Sequence, residues 1–196
     1  MNNISIALIH YPVLNKSGEE VTTSITPFDI HDISRSAYTF GVDLFYVVHP
    51  SNKQKNVLER ITNFWQIGFG KSYNQNRSLA FNIVKFAYSF EEVKELLERY
   101  YNQKVKVIST TARKMEMSKI ISIEEASKVS ANNPVLILFG TGWGLATEFF
   151  HHLSDYILAP IEGIDNYNHL SVRAASAIIL YLFSFERKKY LRQINT

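Results

Sequence analysis

The chain has no cysteine. That excludes disulfides and any thiolate-held metal, and no metal site is expected. Nor does any run of about 18 apolar residues occur, so no membrane span is predicted. The first apolar run, Ile4 to Ile9, is short and has no basic segment before it. It does not read as a secretory signal, and a cytoplasmic protein is expected. Prolines number 5 and glycines 8 in 196 residues, with no Pro/Gly/Ser-rich linker between composition blocks. The expectation is therefore one domain over residues 1–196. No internal repeat, low-complexity tract, Gly-Lys-Ser/Thr P-loop or early G-x-G-x-x-G turn is present, which argues against a P-loop enzyme and a dinucleotide-dependent oxidoreductase. A net charge of +3 permits a polyanionic partner without demanding one.

Apolar runs of strand length alternate with segments of helical period. Strands are predicted at Ile4–His10, Leu44–His49, Phe81–Ala87, Val105–Ile108, Val135–Phe139 and Tyr156–Leu158. Helices are predicted at Asp29–Phe40, from a Ser51 cap to about Phe69, and from a Ser89/Glu92 capping box to about Tyr101. Further helices are predicted at Ile123–Ser130, Leu145–His152 and Leu170 to about Tyr190. Lys71–Ser78 and Ser109–Ser118 read as polar loops. Strands separated by helices imply an α/β fold, a mostly parallel sheet flanked by helices. In such sheets ligands bind beyond the carboxyl ends of the strands.

Two segments at those ends stand out. After the fifth predicted strand comes Leu138-Phe-Gly-Thr-Gly-Trp-Gly-Leu. Gly140, Gly142 and Gly144 alternate with Thr141 and Trp143, more glycine than a tight turn needs, and a ligand can approach such a backbone closely. After the sixth comes Leu158-Ala-Pro-Ile-Glu-Gly, then Tyr167-Asn-His-Leu-Ser-Val-Arg-Ala. Pro160 and Gly163 fix a loop there, and Asn168 is placed to cap the final helix. Taken singly, each of these residues reads equally well as structural.

Together, Phe139 to Leu145, Pro160 to Gly163 and Tyr167 to Ala174 resemble the SPOUT superfamily of S-adenosylmethionine-dependent RNA methyltransferases. The nearest likeness is to a bacterial group whose members stand alone or are joined to a tRNA guanine-N1 methyltransferase domain. The resemblance implies a C-terminal trefoil knot, an S-adenosylmethionine cofactor, a tRNA or rRNA substrate and a homodimer. It implies a cofactor site made of Leu138, Phe139, Gly140, Thr141, Gly142, Trp143 and Gly144, with Leu158, Pro160, Ile161 and Gly163. Tyr167, Asn168, His169, Leu170 and Ser171 complete that wall, and Ser109, Thr110 and Thr111 form its third side. Leu138, Ile157, Leu158, Ile161 and Leu170 can wall an adenine, with main-chain bonds from near Gly140 and Ile161.

Asp29-Ile-His-Asp-Ile-Ser-Arg-Ser-Ala-Tyr-Thr-Phe-Gly resembles the superfamily's early helix, with Arg35, Ala37, Phe40 and Gly41 matching. Asp29 and His31 stand where Asn and Gly are usual. Arg35 is the first candidate for holding a phosphate or stabilising charge on a base; the alternative is an exposed helical arginine paired with Asp32. Asp29, His31 and Asp32 are candidate bases or orienters, with His169 a further one. A second functional reading is a non-catalytic module that binds S-adenosylmethionine or RNA and partners another RNA-modifying enzyme.

Overall fold

The computed structural model describes residues 2–165 and 167–194. Its main sheet has seven strands in the order β5-β4-β1-β8-β6-β9-β7. They are β1 (Ile4–Ile9), β4 (Leu44–Val48), β5 (Val84–Ala87), β6 (Lys106–Thr110), β7 (Ile120–Ile121), β8 (Val135–Gly140) and β9 (Tyr156–Leu158). Every pairing in it is parallel. A two-residue antiparallel hairpin, β2 (Val13–Leu14) with β3 (Glu20–Val21), stands beside it.

The apolar strand runs are explained by burial on both faces. Ile4, Ile6 and Leu8 of β1 and Val135, Ile137 and Phe139 of β8 face one core. That core is closed by α1 (Pro27–Thr39), α2 (Asn52–Gln66), α4 (Gln75–Phe81), α6 (Ile123–Asn132) and α7 (Val172–Ile194). Ala7, Ile9, Leu136 and Leu138, the alternate residues, face a second core under α5 (Phe90–Tyr101) and the π-helical turn Phe149–Leu153. Burying such side chains stabilises by roughly 1.5–3 kcal/mol each. Helix starts follow local chemistry: Thr26, Ser51, Ser89 and Ser122 each accept a backbone N–H from the first turn, and Ser122 with Glu125 forms a reciprocal capping box.

Five expectations need correction. Lys71–Ser78 is not a loop: α3 (Phe69–Tyr73) and α4 occupy it, α4 started by the Asn74 side chain on the Arg77 amide. Helix α2 consequently ends at Gln66, and Phe81 closes α4 instead of opening a strand, so β5 begins at Val84. The segment after Leu145 is not an α-helix from its first residue. Leu145 pairs with Val13 across an isolated bridge, and the chain then closes into the π-helical turn. The hairpin and β7 were not anticipated, since two-residue strands carry no period. Finally, Ser109 and Thr110 belong to β6, and the loop that follows is tied to its neighbours. Asn168 Nδ2 donates to the Ala112 carbonyl (3.1 Å), Arg113 Nη2 to the Trp143 carbonyl (3.2 Å), and Lys114 pairs with Glu162 (3.5 Å).

Candidate cofactor cavity

A cavity of about 730 Å³ opens where the carboxyl ends of β6, β8 and β9 meet the start of α7. That lies within the size range of small-molecule sites. Phe139, Leu158, Ile161, Leu170 and Ile179 supply apolar wall. Polar groups come from Thr110 at the end of β6 and Thr111 after it, from Asn168, His169 and Ser171 before α7, and from Asp29 on α1. Neither the Ile161 nor the Leu170 amide has a hydrogen-bond partner among the described residues. An apolar wall with free main-chain donors is what an adenosine needs, so these residues fit an S-adenosylmethionine.

The six glycine-loop positions from Phe139 to Gly144 all line the cavity, but the glycines have internal reasons to be there. A Cβ on Gly140 would lie 2.5 Å from the Leu145 amide nitrogen, so the turn itself excludes a side chain. Gly142 has φ +59°, and a Cβ on it would lie 2.9 Å from the Leu14 carbonyl oxygen, against the hairpin and not in the ligand space. Three loop amides are also already used: Thr141 donates to Ile9, Trp143 to Leu14 and Gly144 to Thr141. Main-chain bonds to a ligand from this loop are therefore not offered by the Thr141, Trp143 and Gly144 amides, and no regular helix begins at Leu145. The loop is shaped by the hairpin and presents mainly surface.

Behind it runs a partly buried hydroxyl chain. Thr141 Oγ1 donates to the Ile9 carbonyl (3.0 Å), Thr23 Oγ1 lies 2.5 Å from Thr141 Oγ1, and His10 Nδ1 lies 2.9 Å from Thr23 Oγ1. With the Thr141 proton spent on Ile9, Thr23 donates to Thr141 and accepts from His10. His10 is thus the neutral Nδ1–H tautomer. Burial, with the neighbouring His49 second, lowers its pKa to about 4.

Several expected cofactor residues lie off the wall. Leu138 points into the opposite core, because side chains alternate along a strand; only its carbonyl is engaged, by Thr110 Oγ1 at 2.8 Å. Ser109 is on the same wrong face, buried and bonded to the Ser154 hydroxyl. Pro160 stands between the lining residues Ala159 and Ile161. Gly163 and Tyr167 turn on each other, since a Cβ on Gly163 would lie 2.5 Å from the Tyr167 carbonyl oxygen. Tyr167 is exposed, its ring against His169.

The early-helix candidates separate. Asp29 is at the cavity edge, accepting from the Thr26 hydroxyl (2.7 Å) and paired with Arg173 Nε (3.4 Å). Asp32 also pairs with Arg173 (3.4 Å), not with Arg35. His31 faces away: its Nε2 accepts from Trp65 Nε1 at 3.1 Å, and its ring packs edge-on to Phe81. Arg35 does not line this cavity and lies with Arg77 around a separate hollow. Sequence reasoning missed Asn15, Lys16 and Arg113, which also line the cavity. The usable signal was Asn15-Lys-Ser-Gly, a turn signature: Asn15 Oδ1 accepts the Ser17 and Glu19 amides.

Residues 3–183 match the family described as SAM-dependent RNA methyltransferase. The chain belongs to that family. Over 91% of its length it is 39% identical to a tRNA (guanine-N(1)-)-methyltransferase of Oleidesulfovibrio alaskensis, of which it spans 41%. Its fold is that of the SpoU methyltransferase AviRb from Streptomyces viridochromogenes, solved in complex with the cofactor AdoMet (TM-score 0.59, 18% identity, 94% of this chain and 57% of that one). It is also that of the A. aeolicus TrmH/SpoU tRNA modifying enzyme (TM-score 0.58, 18% identity, 97% and 78%). No helix of the described residues is long and apolar enough to cross a membrane, and no group of three or more His, Asp or Glu among them is placed to hold a metal.

Proposed function

We propose that the chain binds S-adenosylmethionine in the cavity between β6, β8, β9 and α7 and transfers its methyl group to a nucleotide of tRNA or rRNA. The carrying observation is the cavity itself: apolar walls and the Ile161 and Leu170 amides, which have no partner among the described residues, placed beyond the strand ends in a member of this family. When bound, the sulfonium supplies an already activated methyl group, so the protein's task is alignment and proton handling. Leu158, Ile161 and Leu170 enclose the adenine, and Lys16 and Arg113 offer positive charge for the methionine carboxylate. Asp29, held by Thr26 and Arg173, is the carboxylate at the cavity wall and the best-placed proton acceptor. Asp32 orients Arg173, and Arg35 contacts the RNA.

The protein acts as a homodimer, as the resemblance implies, and the last strands thread as a trefoil knot. The dimer reading rests on α7. Ile179, Leu180 and Phe183 pack inward, while Tyr181, Leu182 and Phe185 remain exposed, with the Tyr181 ring edge-on to Phe40 at the end of α1. Ile30, Ile33 and Ala37 of α1 are fully buried in the chain's own core and contribute none of it. A cytoplasmic location goes with this reading, as the place where tRNA and rRNA are modified.

A partner-module role keeps one supporting fact: the longer relative contains some 59% of sequence outside the match, room for a second active unit. Titration calorimetry with S-adenosylmethionine, its demethylated product and NAD tests the cofactor half. Binding of the first two but not NAD is expected. Binding of NAD alone would overturn it.

A further inference from the structure

A second hollow, of about 400 Å³, lies between α1 and α4. Arg35, Tyr38 and Thr39 line it from α1, and Asn74, Asn76 and Arg77 from the start of α4. No acidic residue is among the described lining. Neither arginine is in an ion pair among the described residues, and the nearest α1 carboxylates, Asp29 and Asp32, are both taken by Arg173 on α7. The two guanidiniums are therefore left without neutralising partners.

Arg77 is also held in place. Its guanidinium lies 4.5 Å from the Trp65 ring centroid, its Nε is shielded from water with no partner among the described residues, and Trp65 is fixed by donating to His31. A guanidinium stacked on a buried indole is pre-organised, and its terminal N–H groups are free to bind. Asn74 spends its Oδ1 on the Arg77 amide, which leaves its Nδ2 hydrogens as donors. The hollow is thus rich in donors and short of acceptors, and its ligand must be an anion with several oxygens. Next to it, α3 carries Phe69 and Tyr73, stacked at 5.8 Å and both more than two-thirds exposed, with Lys71 between them. Exposed rings beside cations are what unpaired bases stack on.

We propose that this hollow holds a backbone phosphate of the RNA substrate, with Arg77 as a binding residue and the α3 rings as a stacking surface for adjoining bases. The proposal rests on the RNA methyltransferase reading and adds a contact outside the cofactor cavity.

The test is fluorescence anisotropy with a labelled 24-nucleotide mixed-sequence RNA over a salt series, on wild type, Arg77→Gln and Arg77→Lys. Thermal unfolding and S-adenosylmethionine calorimetry on the same samples check the fold and the cofactor site. Arg77→Gln is expected to weaken RNA binding roughly 3- to 30-fold and to lower the salt slope by about 0.7, with cofactor affinity unchanged. Arg77→Lys should keep the slope but not the full affinity, because an ammonium keeps the charge and loses the fork. Wild-type affinity and slope in Arg77→Gln would overturn the proposal while leaving the cofactor reading intact. Pyrophosphate binding at the hollow by a wild type that does not bind RNA would overturn it too, by making the ligand a small anion. Loss of cofactor binding in the wild type would count against the methyltransferase reading instead.

Discussion

Arg173 Nη1 lies 3.4 Å from Asp32 Oδ2, and the same guanidinium reaches Asp29 Oδ1 through Nε at 3.4 Å. One arginine from α7 therefore ties down both α1 carboxylates and fixes the helix that carries Arg35 against the helix that closes the cofactor cavity. The groups are partly exposed, so Arg173→Ala should cost no more than about 1 kcal/mol of stability. Its catalytic effect should be larger. With Asp29 released, methyl transfer should fall about 10-fold or more while cofactor affinity changes little. Equal losses in unfolding free energy and turnover would show the pair to be merely structural.

Gly142→Ala is expected to disturb the glycine loop without touching the ligand space. A left-handed φ costs a residue with a Cβ about 1–2 kcal/mol, and this Cβ meets the Leu14 carbonyl oxygen. Lowered thermal stability with weakened S-adenosylmethionine binding should appear together. A normal melting temperature with binding abolished would instead place the side chain in the ligand's path.

Acid should loosen the support of that loop. The His10 pKa is lowered to about 4 by burial, against 6.5 in the unfolded chain, so below pH 6.5 the unfolded state binds the proton preferentially. The contribution of neutral His10 is complete above pH 6.5, declines as pH falls, and is lost by pH 4, up to about 3 kcal/mol in all. His31 and His49, also lowered by burial, act in the same direction. His10→Asn, which keeps a donor toward Thr23, should flatten the stability profile between pH 7 and 4. An unchanged slope in chemical denaturation would remove His10 from this role.

Arg35→Ala should leave cofactor affinity unchanged, since Arg35 does not line the cofactor cavity. If it contacts RNA as proposed, methyl transfer should drop by about 30- to 1,000-fold, or roughly 2–4 kcal/mol. Wild-type turnover would leave Arg35 as surface charge.

The sheet was legible because both faces of β1 and β8 are buried, which makes β8 a continuous apolar run and leaves Ser5 the one polar residue in β1. The hairpin was not, because Val13–Leu14 and Glu20–Val21 are too short to show a period, and they exist because Gly142 and Trp143 lean on Leu14. Helix α3 escaped notice for a different reason: Lys71 and Ser72 read as loop, and packing of Gly70 against Trp65 overrides that preference. At the site, the glycine loop and the Asn168–Ser171 segment announced the cavity, but alternation put Ser109 and Leu138 on the wrong face. A strand buried on both faces shows no period of two, so its sequence did not reveal which residues face the cavity. The pairing of Asp32 with Arg173, 141 residues away in sequence, was not recoverable from helical spacing, which offered only Arg35.

The central claim is methyl transfer from S-adenosylmethionine to RNA, and its most direct measurement is incorporation of a tritium-labelled methyl group. Purified protein is incubated with labelled S-adenosylmethionine and fractionated tRNA and rRNA from a strain lacking the protein, and the labelled nucleoside is identified by mass spectrometry. The account predicts label in one methylated nucleoside of one RNA fraction, abolished by Asp29→Ala. Tight cofactor binding with no label in any RNA fraction would contradict it and leave a binding module in place of an enzyme.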